Sequence, residues 1–408
     1  MSIWGIRGIF EVVNRLLRGS VGTAVVAFVL VAGSQACGEL KVAPRAADAD
    51  TTESDGATGD SDSSTECTTP AANDPANCGR CGHSCQGGAC KAGVCQPLVL
   101  AKDRRSPVDL AVSGAHVYWV EQGTTTSDLA DGRLGRAPIA PCDAGCVSEL
   151  LDAGQDFTGI AVNTEFAYVT QGRGSAGRVV RVPLDGRPFE VFAPNEPSAS
   201  KIALESKSAV WINAGSGPST GEARRRVFDS TSGGGGTIGS GLDHPNAVAV
   251  RGDRVFITAS GQLEVDGYIA TTDLAGTKTD LVATDQALPR GIAVDSTWVY
   301  WANQGDGTVH RARWDGTQHA EIVTSAIAAN ALTVDPDGLY WTEAGSEPDH
   351  LDGRLRRANL DGTGAVTLAD GLTYPTAVTT DGTSIYVSVR GAAAGGYRDG
   401  MILKVAKP

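Results

Sequence analysis

The sequence predicts an all-β protein built as a seven-bladed β-propeller, and three observations carry that prediction. One phrase recurs seven times between Leu98 and Pro408: a short apolar triplet, a few turn residues, then an aromatic-rich run leading towards glycine. The triplets begin at Leu110, Ile160, Ile202, Val248, Ile292, Leu332 and Val378, about 40 to 50 residues apart, which is the period of four-stranded blades. Leu184-Asp185-Gly186, Trp314-Asp315-Gly316 and Leu360-Asp361-Gly362 repeat one tight-turn signal. Finally, the last repeat lacks a fourth strand, while Leu98-Val99-Leu100 stands ahead of the first repeat without partners of its own. That front strand is expected to complete the last blade and remove an exposed sheet edge.

In chain order, residues 1–36 read as an export signal. Arg7, Arg15 and Arg18 precede an uncharged run from 21 to 33 that is too short to span a bilayer as a helix. Residues 37–66 hold few large apolar groups, and from 39 to 66 eight acidic side chains are offset only by Lys41 and Arg45. Such a stretch cannot bury enough surface to offset ordering entropy, so it reads as an extended, disordered acidic tether. The whole chain carries a formal charge of −13, and loss of residues 1–36, with three basic groups and one acidic, takes it to −15. That balance argues against nucleic acid as a partner. Arg104-Arg105, Arg224 to Arg226 and Arg356-Arg357 fall in different repeats and read as separate solvated faces.

The nine cysteines divide into Cys37 alone, six from Cys67 to Cys95, and the pair Cys142 and Cys146. Cys67, Cys78, Cys81, Cys85, Cys90 and Cys95 lie among glycines in a stretch, 67–96, too short for an apolar core. Disulfides are expected to take the core's place, in a connectivity the spacing leaves open. Cys78, Cys81, His83 and Cys85 also have zinc-ligand spacing, but the even count in an exported chain favours disulfides. Cys142 and Cys146 fall between two strands, where a bridge would brace a turn. Gly33-Ser34-Gln35-Ala36-Cys37 resembles the lipobox of bacterial lipoprotein signals, with Ser34 where leucine is usual. The resemblance implies acylation of Cys37, and Gly38 in place of a retention aspartate implies the outer membrane or cell surface. The lipid would then be the sole membrane contact. The alternative is a processed soluble protein, periplasmic or secreted, with a spare thiol.

Residues 97–408 form the expected ring. In each repeat the triplet is the innermost strand a, and a segment such as Val299-Tyr300-Trp301 is strand b. Strand c is represented by Val309 to Arg313, and strand d by Glu321-Ile322-Val323. Strand alternation brings the b-to-c and d-to-a connections out on one face, here called the top. The b-to-c loops vary most: 122–131, 214–223, 344–352 and 391–399 are long and 304–306 is short. Variable loops on a rigid ring are where recognition is usually placed. The residue two positions before each triplet is expected at the top mouth of the channel. That register holds Val108, Thr158, Ser200, Asn246, Arg290, Asn330 and Thr376, a set suited to a small ligand or loop, or to ordered water between strands. A closed ring of this kind is expected to be a monomer.

Pro289-Arg290-Gly291-Ile292-Ala293-Val294-Asp295, followed by Val299-Tyr300-Trp301-Ala302-Asn303 and Trp314-Asp315-Gly316-Thr317, is similar to the Tyr-Trp-Thr-Asp repeats of lipoprotein-receptor-type propellers. Leu339-Tyr340-Trp341-Thr342-Glu343 matches nearly as well. That family usually has six blades, which makes a six-bladed ring with one irregular repeat the structural alternative. The family's aspartate is replaced here by Glu121, Gln171, Asn213, Ala259, Asn303, Glu343 and Val389. Resemblance to enzymatic propellers, lactonase-like or quinone-dependent sugar dehydrogenase-like, would imply calcium or clustered acids and histidines at the channel mouth. Glu121, Glu343 and Asn303 are the groups that could hold calcium in that alternative. The six histidines do not share the channel register, and no nucleophile triad, phosphate loop or metal-binding helix signature occurs. The reading that follows is a surface binding or scaffolding module for protein, peptide or glycan, with no cofactor.

Overall fold

Alternating apolar positions along the repeats, broken by glycine and aspartate turns, give strands that pair with their sequence neighbours, the closing strand of the ring excepted. The computed structural model describes residues 72–123, 131–142, 146–154, 156–172, 177–230 and 235–408. The export signal, the tether, Cys37 and Cys67 lie outside the described residues. Seven antiparallel four-stranded sheets follow one another as blades. Blades 1 to 6 span 107–154, 157–193, 199–242, 245–286, 289–323 and 329–372. Blade 7 is built from Pro375–Thr380, Ser384–Val389, Gly400–Ala406 and, as its outermost strand, Leu98–Arg104. The front strand pairs antiparallel with Gly400–Ala406, with Val99 opposite Leu403, so the ring closes as expected. The third and fourth repeats are complete blades, and the six-bladed alternative is excluded.

The core lies between blades. Strand b of blade 5, Trp298–Asn303, and that of blade 6, Gly338–Glu343, are almost wholly buried. Tyr300 and Ala302 of the first pack in one cluster with Trp341 of the second and with Leu332 of blade 6 strand a. Six further clusters of the ring repeat this arrangement, so each blade is stabilised by its neighbours rather than by a centre of its own.

Two backbone devices recur at the top in all seven blades. Strand a begins after a residue with positive φ: Ser106, Asp156, Ser198, His244, Leu288, Ala328 and Tyr374, with φ from 48° to 58°. The carbonyl of each accepts the N–H of the residue just past strand b, at 3.0 to 3.2 Å. The left-handed crook thus satisfies a backbone donor that the sheet cannot reach, at a conformational cost of roughly 1 kcal/mol per residue. In addition, each strand a departs from regular register against strand b within its first few residues, as between Pro107 and Asp109 or Pro289 and Ile292.

The cysteine-rich segment is cross-linked by Cys78–Cys90 and Cys85–Cys95, and Cys81 is disulfide-bonded as well. The sulfur atoms of Cys78, Cys85 and Cys95 lie together because their bridges adjoin, and the zinc alternative is set aside. His83 lies within hydrogen-bonding distance of the Cys78 and Lys407 carbonyls, and Ala406 joins the cysteine cluster. The segment therefore docks where strand c of blade 7 ends, on the bottom of the ring. Cys142 and Cys146 are bridged in the bottom loop of blade 1. These bridges fit an exported protein in an oxidising compartment. Among the described residues no helix is long and apolar enough to cross a membrane.

Candidate functional site: the channel mouth and top face

The register two positions before each triplet serves mainly to join blades. Thr158 Oγ1 donates to the Ala199 carbonyl at 2.8 Å, and Asn246 Nδ2 to that of Pro289 at 2.9 Å. Asn330 Nδ2 donates to the Pro375 carbonyl at 3.4 Å and Thr376 Oγ1 to that of Pro107 at 2.9 Å. Each bond reaches the first residue of strand a in the next blade. Ser200 instead accepts the Lys201 N–H at 2.6 Å. Val108, the apolar member, offers only its carbonyl, 3.4 Å from Lys201 Nζ.

Inside this ring of latches lies a cavity of about 540 Å³. Of the expected residues, Asn246, Arg290, Asn330 and Thr376 line it, whereas Thr158 and Ser200 do not. Two charged lining residues escaped the sequence reading, Asp109 and Lys201, whose carboxylate and ammonium pair at 3.1 Å from blades 1 and 3. All seven first residues of the triplets, from Leu110 to Val378, form an apolar collar on the wall. Arg290 is half-buried; its Nε donates to Gln304 Oε1 at 2.9 Å and its Nη1 to Asn246 Oδ1 at 2.8 Å. Burial lowers its pKa.

Glu121, Glu343 and Asn303 occupy blades 1, 6 and 5: Glu343 is bonded inside its own blade, whereas Glu121 also pairs with Arg104 of blade 7 at 3.5 Å and Asn303 reaches Gln286 of blade 4. Trp119 Nε1 donates to Glu121 Oε1 at 2.8 Å, and Trp341 Nε1 to Glu343 Oε1 at 3.2 Å. In blades 3 and 5 the acceptor comes from the preceding chain segment. Glu196 takes Trp211 Nε1 at 3.1 Å and Asn213 Nδ2 at 3.0 Å. Gln286 takes Trp301 Nε1 at 2.7 Å and Asn303 Nδ2 at 3.2 Å. The position that holds aspartate in lipoprotein-receptor-type repeats is thus part of an indole-capping group wherever a buried tryptophan stands two residues before it. In blades 2, 4 and 7 that earlier residue is Val169, Ile257 or Val387, and the position is Gln171, Ala259 or Val389. An indole N–H sealed between blades needs an acceptor, whereas an aliphatic side chain does not.

The charge of each cap is matched across the strand. Arg224 pairs with Glu196 at 3.3 Å and Arg356 with Glu343 at 3.1 Å, whereas in blade 5 neutral Gln286 caps Trp301, on which buried His310 stacks. His310 Nε2 meets Thr308 Oγ1 at 2.8 Å, and Nδ1 meets His319 Nε2 at 3.1 Å. Burial, helped by His319 and opposed by Asp306, pulls the His310 pKa down to about 4. Its folded value lies below the unfolded value of about 6.5, so the unfolded chain binds the extra proton. Stability linked to His310 is complete above pH 6.5 and is lost as the pH falls towards 4. We expect roughly 2 kcal/mol of such loss after allowance for solvent screening. Urea titrations at pH 7 and pH 4.5 should show His310→Gln losing less stability on acidification than the parent; equal losses would contradict this assignment.

The top loops are clasped at their bases. Asp352 Oδ1 accepts the Ser346 N–H at 2.7 Å, Asp399 Oδ1 that of Ala392 at 2.9 Å, and Asp266 Oδ1 that of Leu263 at 2.8 Å. Opposite each carboxylate is a glycine with positive φ, Gly345, Gly391 or Gly261, where a Cβ would crowd that oxygen. Across blades 6 and 7 the loops are joined by a stacked ladder. His350 lies on Tyr374 with ring centroids 4.3 Å apart, and the Arg390 guanidinium lies 5.4 Å from the Tyr374 ring and 4.2 Å from that of Tyr397. Nine large apolar side chains are conspicuously exposed among the described residues, and four of them share this face: Leu263, Val265, Ile327 and Leu351, over blades 4 to 6. Loop 122–131 lies mostly outside the described residues.

No family model matches the sequence. A stretch of 63 residues is 33% identical to the sortilin-related receptor of Mus musculus, covering 15% of this chain and 3% of that receptor. The chain thus spans only a small part of the curated relative it matches. The crystal structure of virginiamycin B lyase from Staphylococcus aureus aligns over 76% of this chain and 98% of its own, at 13% identity and a TM-score of 0.53. The computationally designed protein Ika8 aligns over 76% of this chain and 98% of its own, at 15% identity and a TM-score of 0.50. At such identities the structural likeness shows the fold alone.

Proposed function

We propose that this chain is a cell-envelope binding module that offers the top face of blades 4 to 7 to a protein or peptide partner. The observation carrying this reading is the concentration there of exposed Leu263, Val265, Ile327 and Leu351 beside the His350–Tyr374–Arg390–Tyr397 ladder. Exposed apolar groups gathered on one face are unusual for a surface that meets only water. Tyrosine and arginine held rigid beside them are the side chains that most often dominate binding energy. Clasped loop bases lower the entropy lost on association. The apolar tips suit a polypeptide better than a glycan. The bottom-docked cysteine segment, with an acylated Cys37 beyond it, would turn this face away from the membrane.

The test is selection of displayed random peptides on the immobilised chain. Binders should lose at least about tenfold in affinity against a Leu263→Asp, Leu351→Asp double variant, and should be unaffected by Leu281→Asp, an equally exposed site on the outer strand of blade 4. Binders that follow Leu281 and ignore the double variant would overturn the top-face assignment. Both leucines are more than half exposed, 68% and 57%, so the double variant should retain the parent's melting temperature.

A further inference from the structure

We infer that the channel mouth is a binding site for a small organic acid, with its carboxylate on Arg290 and its apolar body against the collar of triplet residues. This site is separate from the partner surface proposed above and does not depend on it. A guanidinium has five N–H donors, and among the described residues Arg290 makes two hydrogen bonds, both to neutral amide oxygens. No carboxylate among the described residues lies within ion-pair distance of it. The other cation on the cavity wall, Lys201, is already neutralised by Asp109. The cavity wall therefore carries one uncompensated positive charge inside a chain whose overall charge is −13.

A half-buried cation without a counterion is costly, and the cost is recovered when an anion occupies the space beside it. Gln304 and Asn246 fix the guanidinium plane before a ligand arrives, which favours the planar two-oxygen geometry of a carboxylate. Below this polar rim, Leu110, Ile202, Ile292 and Leu332 offer apolar wall. The volume of about 540 Å³ is within the range of pockets that enclose small organic ligands and far exceeds what an inorganic anion fills. The latches at Thr158, Asn246, Asn330 and Thr376 hold the mouth open at fixed width, because each already has a partner in the next blade.

Titration calorimetry on the full chain with octanoate and 3-phenylpropionate tests this assignment. At least one should bind with one-to-one stoichiometry and a dissociation constant below about 1 mM, and the matching neutral amide should bind at least about tenfold more weakly. Arg290→Gln should lower carboxylate affinity at least about tenfold while leaving the amide unchanged. Should that variant fail to fold, protection supplies the answer on the parent protein. Phenylglyoxal modification of Arg290, followed by peptide mass spectrometry, should slow in the presence of the bound acid. The inference is overturned if neither acid binds, if inorganic phosphate binds as tightly as the acids, or if Arg290 reacts at the same rate with and without them.

Discussion

Removing residues 98–105 is expected to abolish the cooperative melting of the ring, and adding a peptide of that sequence to restore it. Strand Leu98–Arg104 is the sole outer partner of Gly400–Ala406, and Ala101 is buried against blades 7 and 1 with Trp119, Tyr386 and Ile402. Without it, blade 7 presents a bare edge and blade 1 loses part of its packing, so the ring has no sealed seam. Blades depend on their neighbours for burial, and the damage is therefore not confined to one sheet. Differential scanning calorimetry of the truncated chain should show a broad, low-enthalpy transition and a tendency to aggregate. A truncated chain that melts within a few degrees of the parent would contradict the closure mechanism.

Glu343→Ala is expected to cost about 3 to 5 kcal/mol. Glu343 is 1% exposed and accepts from the Trp341 indole at 3.2 Å and from Arg356 at 3.1 Å, with Arg354 3.8 Å away. Alanine leaves an indole N–H sealed between blades and a guanidinium over the same ring without its counterion. Glu343→Ala combined with Arg356→Leu should recover part of the loss, since the stranded charge is then gone. Denaturant unfolding of the two single variants and the double variant measures this. Strictly additive losses would show that Glu343 and Arg356 do not act as one group.

How much of this was legible in the sequence depends on the periodicity of each feature. The triplets, the aromatic strands and the unpartnered segment at Leu98 repeat or break a pattern, and they led to seven blades and the closing strand. The crooks before strand a were invisible because Ser106, Asp156, Ser198, His244, Leu288, Ala328 and Tyr374 share no chemistry and include no glycine. Closure of the blade, not local preference, imposes that conformation. Asp109 and Lys201 were missed because the expected register counted only one residue per strand start. The irregular pairing there turns the next residue to the cavity as well. The indole caps were half legible: the tryptophans and Glu121, Asn213, Asn303 and Glu343 stand in register, but Glu196 and Gln286 reach in from another segment. Arg290 was legible as a channel residue, though its lack of a counterion required coordinates.

Amide hydrogen exchange on the full chain, with and without a selected peptide, locates the partner-binding face. Added protection is expected at 261–266, 324–328, 344–352, 373–374 and 390–399, the top-face segments of blades 4 to 7. Protection on the outer strands, for instance at 279–286, with the top loops unchanged, would contradict that placement.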